Sequence, residues 1–235
     1  TDPSSMYSGG AIFVDSASGY IHIGMQTHLT THDTLQAKEE FEAFCRDHRI
    51  VIQEFRTDNG GAFTSHEFGA HFSRFAQIIR FAGVGAHHHN GIVERSIRTI
   101  MTMARTMMLH AAVHWPDMAD PSLWPMAVSH ATFLHNHLPD PRTGLAPADV
   151  FLRTRWEQRK FHDLHVWGSP TYVLDKTIAD GKKIPRWNPR SERCVFMGLS
   201  PMHASTVPLV LRPSTGAITP QFNVVFDDWF ATVAT

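Results

Sequence analysis

The start of the chain alternates between short apolar runs and a segment with helical periodicity. An apolar run at residues 11–14 ends in a turn-forming cluster at 15–19, and alternating residues 20–25 follow. This pattern predicts a β-hairpin whose first strand is buried on both faces. Residues 31–48 then change period, because Phe41, Phe44, Cys45 and His48 have the spacing of an amphipathic helix.

Strands and helices continue to alternate over the next hundred residues. A strand is predicted at 50–55, stopped by turn residues at 57–61, followed by a short helix at 66–75 and a strand at 78–81. Asn90 is placed to cap the longest helix, and Asp120-Pro121 opens another. The apolar stripe of the longest helix is expected to pack in the core and comprises Val93, Ile97, Ile100, Ala104, Met107, Met108 and Ala111. The alternation predicts an α/β fold in which helices cover a mixed sheet.

After Pro139 the pattern changes to short β-like runs. Apolar segments at 171–174, 194–197, 209–211 and 222–226 are separated by turn residues, including those at 213–216. This pattern predicts a small all-β unit with a compact, barrel-like form. The predicted organisation is an α/β core at residues 1–145, a linker at 146–164 and a β-rich domain at 165–235.

The composition excludes several classes of protein. With 43% hydrophobic and 18% charged residues among 235, the chain can bury a core. It has no apolar run of the roughly 20 residues that cross a bilayer and no secretion-signal pattern, so we expect an intracellular protein without a membrane partner. Two distant cysteines and seventeen scattered histidines predict neither a disulfide scaffold nor a zinc site.

The net charge of −1 hides an asymmetry along the chain. Between Arg142 and Arg193 there are eleven Lys and Arg residues against six Asp and Glu, so the rest of the chain is acidic. A basic stretch beside an acidic body suits a nucleic-acid partner whose phosphates meet one surface. A solvated basic loop produces the same pattern, so charge alone leaves both interpretations open.

Asp58 and Glu94 are candidate functional carboxylates. Asp58 lies where a predicted strand ends, and Glu94 lies in the first turn of the longest helix. Each has an ordinary explanation, since Asp-Asn-Gly is a common turn and a helix start favours an acidic residue. Their combination is more informative, because 35 residues separate them and Glu94 is embedded in the run His-His-His-Asn-Gly-Ile-Val-Glu-Arg at 87–95.

These ordered motifs resemble the integrase catalytic core of a copia-type retrotransposon Pol polyprotein, in the retroviral-type integrase superfamily. Residues 57–61 resemble the family's Asp-Asn-Gly-Gly segment, and residues 90–95 resemble its Asn-Gly-Val-Ala-Glu-Arg helix start at the family's 35-residue gap. The chain is similar to further family landmarks at 123–136, 166–173, 196–198 and 225–228. The resemblance covers nearly the whole chain.

The resemblance implies an RNase H-like fold and DNA integration by a polynucleotidyl transferase. Asp58 and Glu94 would be catalytic residues and ligands of two Mg²⁺ ions, or of Mn²⁺, because close carboxylates need cations between them. Water would trim the 3′ ends of element DNA, and the freed hydroxyls would attack target DNA. The implied partners are these DNAs, further copies of the chain and the reverse transcriptase portion of the same polyprotein, first in a cytoplasmic particle and then in the nucleus.

Five residues near Glu94 are candidates for DNA contact. Arg98 and Arg105 follow Glu94 on one predicted helix face, one and three turns on, and Arg95 lies beside it. Ordinary surface arginines of an amphipathic helix explain this spacing equally well. Asn90 and His89 precede the helix in a loop, and the family usually has Gln where this chain has His89.

The family's site uses a third carboxylate on a strand before the hairpin. Asp15 falls in the segment that matches the family's second strand and its turn, and Asp2 lies in a Pro/Ser segment without strand character. The third carboxylate and the first strand are therefore expected upstream of Thr1. On that expectation the 235-residue piece alone is poorly stable, because two inner strands keep unpaired backbone groups, and is catalytically inactive.

Two alternative functions remain. An inactive relic that acts only as a nucleic-acid-binding module is favoured by the missing strand and by Ala62, where the family often has Glu. A DDE-type DNA transposase shares the fold, but the Gly-Ser-Pro run at 168–170 and the Phe-Met-Gly run at 196–198 argue against it.

Overall fold

The computed structural model describes residues 7–58, 60–81, 91–118, 120–154, 164–203 and 207–233, and these form two compact units. The described residues of Ser5–Met101 and Thr132–Trp156 make up the first, called here the N-terminal unit. Those of Thr102–Ala131 and Glu157–Thr235 make up the second, called the C-terminal unit. The domain boundaries at residues 145 and 165 stay a prediction.

The N-terminal unit begins with the predicted hairpin and helix. Strands β1 (Gly9–Val14) and β2 (Ile21–Gln26) pair antiparallel. Helix α1 (Thr31–Asp47) packs on the hairpin and begins at Thr30, whose hydroxyl accepts a hydrogen bond from the Asp33 N–H. A Cβ atom at Gly24 would lie 2.5 Å from the Ala37 Cβ, so the close approach of β2 to α1 requires glycine there.

A second pair of strands carries the segment that leads to Asp58. Strand β3 (Glu54–Thr57) pairs in parallel with β4 (Ile78–Phe81), and helix α2 (His66–Arg74) connects them. The Ser65 hydroxyl caps α2 by accepting a hydrogen bond from the Phe68 N–H. The apolar cluster that joins α1, α2 and the two strands contains Leu35, Phe55, Phe63, Phe68, Phe72 and Ile79.

The described strands of this unit form two separate two-stranded sheets, β1–β2 and β3–β4. The prediction that the first strand is buried on both faces is wrong, since residues 11–14 are all half-buried. The physical reason is that β1 has a hydrogen-bonded neighbour along one edge only, within the described part of the chain. A continuous apolar run therefore predicted the strand correctly and its burial incorrectly.

Helices α3 (Gly91–His114), α4 (Trp124–His137) and α5 (Pro147–Phe151) follow, with short 3₁₀ turns before α4. The predicted apolar stripe of α3 is buried at Ile100 and Ala104, but Ile97 is 43% exposed. Helical spacing fixes which residues share a face, whereas burial also requires another element to reach that turn of the helix. No helix in the described part of the chain has the length and apolar character of a bilayer-crossing segment.

A buried asparagine at the end of α4 holds the start of β2. The Asn136 Oδ1 atom accepts a hydrogen bond from the Ile21 N–H at 2.9 Å, and its Nδ2 donates to the Ile21 carbonyl oxygen at 2.7 Å. Asn136 and Ile21 are both buried, so the N–H and the carbonyl oxygen of Ile21 cannot form hydrogen bonds with water instead. The side chain thus connects the hairpin to a helix more than a hundred residues later in sequence.

The C-terminal unit contains a five-stranded antiparallel sheet with the order β8-β7-β6-β5-β9. Its strands are β5 (Pro170–Leu174), β6 (Ser191–Leu199), β7 (Pro208–Leu211), β8 (Ile218–Pro220) and β9 (Val224–Phe226), and helix α6 (Lys176–Ala179) lies between β5 and β6. Val173, Cys194 and Val210 form its buried centre. The predicted fold class, an α/β part followed by a small β-rich part, is confirmed.

We expect Asn136→Ala to lower the free energy of unfolding by about 2–4 kcal/mol, because it leaves a buried N–H and a buried carbonyl oxygen of Ile21 without partners. Urea unfolding followed by circular dichroism measures the change. Asn188→Ala, at an exposed position, serves as the control and should change stability by less than about 0.5 kcal/mol. Equal effects of the two substitutions would show that the Asn136 hydrogen bonds do not stabilise the hairpin.

Candidate functional site

Asp58 follows the last residue of β3, at the carboxyl end of a parallel strand pair. Its Oδ1 atom accepts a hydrogen bond from the Gly60 N–H at 2.9 Å, which holds the exposed side chain in a tight turn. A Cβ atom at residue 60 would lie 2.9 Å from that oxygen, so a larger residue there would displace the Asp58 carboxylate. The Oδ2 atom has no hydrogen-bond partner among the described residues, and one carboxylate oxygen therefore remains available to a ligand.

The turn after Asp58 is attached to the apolar cluster of the N-terminal unit. The Phe63 N–H donates to the Gly60 carbonyl oxygen at 3.0 Å, and the Phe63 ring packs edge-on against Phe68 with 5.3 Å between ring centroids. Phe68 is buried beside Leu35. The position of the Asp58 carboxylate therefore depends on packing beneath the turn as well as on β3.

Glu94 lies in the first turn of α3 and is exposed. The dipole of a helix favours a carboxylate at this end. Asn90, which is predicted to cap the helix and to contact DNA, and His89, which is predicted to contact DNA, lie outside the described residues. Within the described ranges, no group of three or more His, Cys, Asp or Glu side chains is placed to hold a metal ion. A shared ion between Asp58 and Glu94 therefore stays a prediction.

Asp15 has a different environment from Asp58. Its Oδ2 atom accepts hydrogen bonds from the Ser18 N–H at 2.8 Å and from the Ser18 hydroxyl at 2.6 Å. These bonds build the turn between β1 and β2, which agrees with the position of Asp15 after the family's second strand. Asp2, the other residue considered for the third carboxylate, lies outside the described residues.

Three predicted DNA-contacting arginines lie on α3. Arg95, Arg98 and Arg105 are exposed, and none of them has a carboxylate partner among the described residues. Long exposed cationic side chains without a partner can reach phosphate oxygens. Their assignment to DNA stays a prediction.

The connection from β5 to β6 is a strongly cationic surface that the sequence indicated only as part of a longer basic stretch. We call residues 175–190 the basic arm. It carries five exposed cations, none of which has an ion-pair partner within the described part of the chain: Lys176, Lys182, Lys183, Arg186 and Arg190. Its acidic residues are Asp175 and Asp180. Hydrogen bonds from Thr177 hold the pKa of Asp175 below its usual value, because this carboxylate caps the start of α6.

The basic arm is closed at its base, where its two ends continue into β5 and β6. The Asp175 N–H donates to the Arg190 carbonyl oxygen at 2.9 Å, and the Lys182 N–H donates to the Thr177 carbonyl oxygen at 2.9 Å. Near its second end, Trp187 is 89% exposed, and the centroid of its ring lies 5.5 Å from the Arg186 guanidinium carbon. Exposed aromatic and cationic side chains together are typical of surfaces that bind nucleic acids.

Relatives of this chain include retrovirus-related Pol polyproteins of plant transposons. That of transposon RE2 from Arabidopsis thaliana is 30% identical over 96% of the chain, and that of transposon TNT 1-94 from Nicotiana tabacum is 28% identical over 79%. The chain spans about 15% and 13% of the length of these two relatives. These relatives confirm the resemblance to copia-type Pol polyproteins that the sequence motifs indicated. No protein-family model matches the chain.

Solved structures with partial similarity to this chain include retroviral integrase catalytic cores. The HTLV-2 integrase catalytic core domain in complex with magnesium is 21% identical with a TM-score of 0.46, over 60% of this chain and 83% of that one. The catalytic core domain of BIV integrase is 16% identical with a TM-score of 0.47, over 60% and 84%.

We expect Asp58→Asn and Glu94→Gln each to raise the Kd of the chain for Mn²⁺ at least about fivefold, because a neutral amide is a poorer ligand for a hard cation than a carboxylate. Electron paramagnetic resonance of free Mn²⁺ measures the affinity. In Asp58→Asn the amide oxygen can still accept from the Gly60 N–H, so the turn should persist. Asp47→Asn, an exposed acid at the end of α1, is the matched control. If all three variants bind Mn²⁺ equally, Asp58 and Glu94 do not share an ion.

We expect the triple variant Lys182→Gln, Lys183→Gln and Arg186→Gln to bind duplex DNA more weakly, with a dependence of log K on log salt that is shallower by about 2–3, since each phosphate contact contributes about 0.9. Fluorescence anisotropy at several NaCl concentrations measures both quantities. The control removes three exposed cations of the N-terminal unit, Arg46, Arg49 and Arg74, each changed to Gln. Equal slopes for the two triple variants would exclude the basic arm as a DNA contact.

Proposed function

We propose that this chain is the integrase segment of a retrotransposon Pol polyprotein and takes part in DNA integration. The observation that supports the proposal is the position of Asp58 at the carboxyl end of β3 and of Glu94 in the first turn of α3, with 35 residues between them. The chain in which they occur is homologous to Pol polyproteins over 96% of its length. The reaction is removal of nucleotides from the 3′ ends of element DNA, followed by transfer of those ends to target DNA.

The oxygen donors of Asp58 and Glu94 suit Mg²⁺ or Mn²⁺, because hard cations prefer carboxylate ligands. Two such ions would activate the attacking oxygen and stabilise the leaving oxygen in an in-line displacement at phosphorus. The Gly60 N–H holds one oxygen of Asp58 and leaves the other to a ligand. Arg95, Arg98 and Arg105 would neutralise phosphates of bound DNA, and the basic arm would add a second contact surface. No covalent intermediate with the protein is involved.

The proposal includes the partners that this reaction requires. Element ends and target DNA are the substrates, further copies of the chain assemble on them, and the reverse transcriptase portion of the same polyprotein accompanies the chain from a cytoplasmic particle to the nucleus. We propose as well that the 235-residue chain alone is inactive in strand transfer, because Asp58 and Glu94 supply two of the three carboxylates that the reaction uses.

The proposal is tested in cells that express an element whose polyprotein contains this chain. We expect Asp58→Asn or Glu94→Gln to reduce new insertions at least about a thousandfold. When catalytic groups act together, removing one of them abolishes nearly as much activity as removing all of them. Asp47→Asn should leave the insertion frequency unchanged. Purified wild-type chain should bind DNA but yield no strand-transfer product, and a Mg²⁺-dependent product would contradict its proposed inactivity.

The same experiment separates the two alternatives. A wild-type insertion frequency no higher than that of Asp58→Asn would identify an inactive relic that only binds nucleic acid. Excision of donor DNA, with insertions that resist an inhibitor of reverse transcription, would identify a DNA transposase. Insertions that the inhibitor abolishes support the integrase.

A further inference from the structure

The N-terminal unit contains a completely buried lysine. Lys38 of α1 has no solvent exposure, and its ammonium group donates hydrogen bonds to Glu42 Oε1 at 2.6 Å, to Gln77 Oε1 at 2.9 Å and to His71 Nδ1 at 3.2 Å. An ammonium group has three N–H donors, and here each one has an acceptor. We call Lys38, Glu42, His71 and Gln77 the lysine cluster.

Two aromatic rings complete the surroundings of the ammonium group. The Lys38 Nζ atom lies 4.8 Å from the centroid of the Phe55 ring and 4.5 Å from that of Phe72. The faces of aromatic rings attract cations, and more strongly where water is excluded. Burial lowers the pKa of Lys38, whereas its hydrogen bond to Glu42 opposes that shift. The ring of Phe55 is therefore held by a charge as well as by apolar packing.

The lysine cluster joins the elements that surround β3. Lys38 and Glu42 belong to α1, His71 belongs to α2, and Gln77 comes directly before β4. The Gln77 Nε2 atom donates to Glu42 Oε1 at 2.6 Å and lies 3.4 Å from the carbonyl oxygen of Ile52, two residues before β3. The cluster therefore contacts both the chain entering β3 and a ring in the middle of that strand.

Strand β3 has four residues and pairs with β4 alone in the described part of the chain. Its position therefore depends on the side chains that pack against it. We propose that Lys38 is a positioning residue for Asp58: its ammonium group fixes β3 against α1 and α2, and thereby places the carboxylate that follows the strand. The part of this inference that concerns metal binding rests on the proposed function.

His71 links the ammonium group of the lysine cluster to a second acidic residue of α1. Its Nδ1 atom accepts a hydrogen bond from Lys38, so its Nε2 atom carries the proton and faces Glu39 Oε1 at 3.1 Å. The charged groups facing His71 are Lys38 and Glu39 of α1, with Glu42 beyond Lys38, and its other neighbours are the rings of Phe72 and Phe75.

The experiment replaces the charges of the cluster without leaving one of them alone. In Lys38→Met with Glu42→Gln, both charges are removed together, so no unpaired buried charge remains and the unit should fold. The matched control is Gln36→Met with Glu40→Gln, an exposed pair on the same helix with the same spacing, whose side chains hydrogen-bond at 3.0 Å. Hydrogen exchange of the amides at 54–57 and the Kd for Mn²⁺ are measured for both variants.

We expect the cluster variant to exchange the amides at 54–57 at least about tenfold faster and to bind Mn²⁺ at least about threefold more weakly, with little change in thermal unfolding. The control should match the wild-type chain. A folded cluster variant with wild-type exchange and wild-type Mn²⁺ affinity would overturn the proposal. Should the wild-type chain show no Mn²⁺ binding that depends on Asp58, the proposed function fails, and the exchange of residues 54–57 alone then decides whether Lys38 positions β3.

A second pair of variants covers the case in which the cluster variant does not fold. His71→Gln keeps an acceptor for Lys38, whereas His71→Leu removes it. We expect His71→Leu to exchange the amides at 54–57 at least about fivefold faster than the wild-type chain, and His71→Gln to keep the wild-type rate. Equal rates in the two variants would overturn the role of the lysine cluster, because both lose the imidazole ring and only the acceptor differs.

Discussion

A buried ammonium group is tolerated only when each of its protons has a hydrogen-bond acceptor. In this chain the groups that surround the ammonium group of Lys38 come from four parts of the fold. The acceptors of Lys38 come from α1, from α2 and from the residue before β4, and a phenyl ring from β3 covers it. A strand as short as β3, with one hydrogen-bonded neighbour among the described residues, takes its position from such contacts. Asp58 follows that strand, so the candidate site depends on how two helices pack behind it.

The acidic residues of the chain show how one residue type serves two purposes. Asp15 uses one oxygen to accept two hydrogen bonds within a turn, and Asp175 is occupied at the start of α6. Asp58 also supports a turn through one oxygen, but it lies at the carboxyl end of a parallel strand pair. Functional sites of α/β proteins are commonly built at that edge, where strands end and side chains project from loops. Position in the fold, more than residue type, makes Asp58 the candidate.

The cationic residues follow a similar division. Arg80 is paired with Glu54, and Arg142 is paired with Asp140, whereas the exposed arginines of α3 and the cations of the basic arm have no carboxylate partner in the described ranges. Unpaired cations on the surface are available to phosphates, and an exposed tryptophan beside them offers a face for stacking. These features agree with the homology to Pol polyproteins, which was identified independently of the charges.

The sequence determined the order and type of the main elements, the β-rich end and the homology, because apolar periodicity and short motifs are local properties of the chain. It did not determine the burial of β1 or the exposure of Ile97, since burial depends on which distant elements reach a given face. Lys38 is the clearest case: a lysine four residues before a glutamate predicts an exposed helical ion pair. The tertiary structure alone decided that this pair is buried, because His71, Gln77 and two phenyl rings meet it only once the chain has folded.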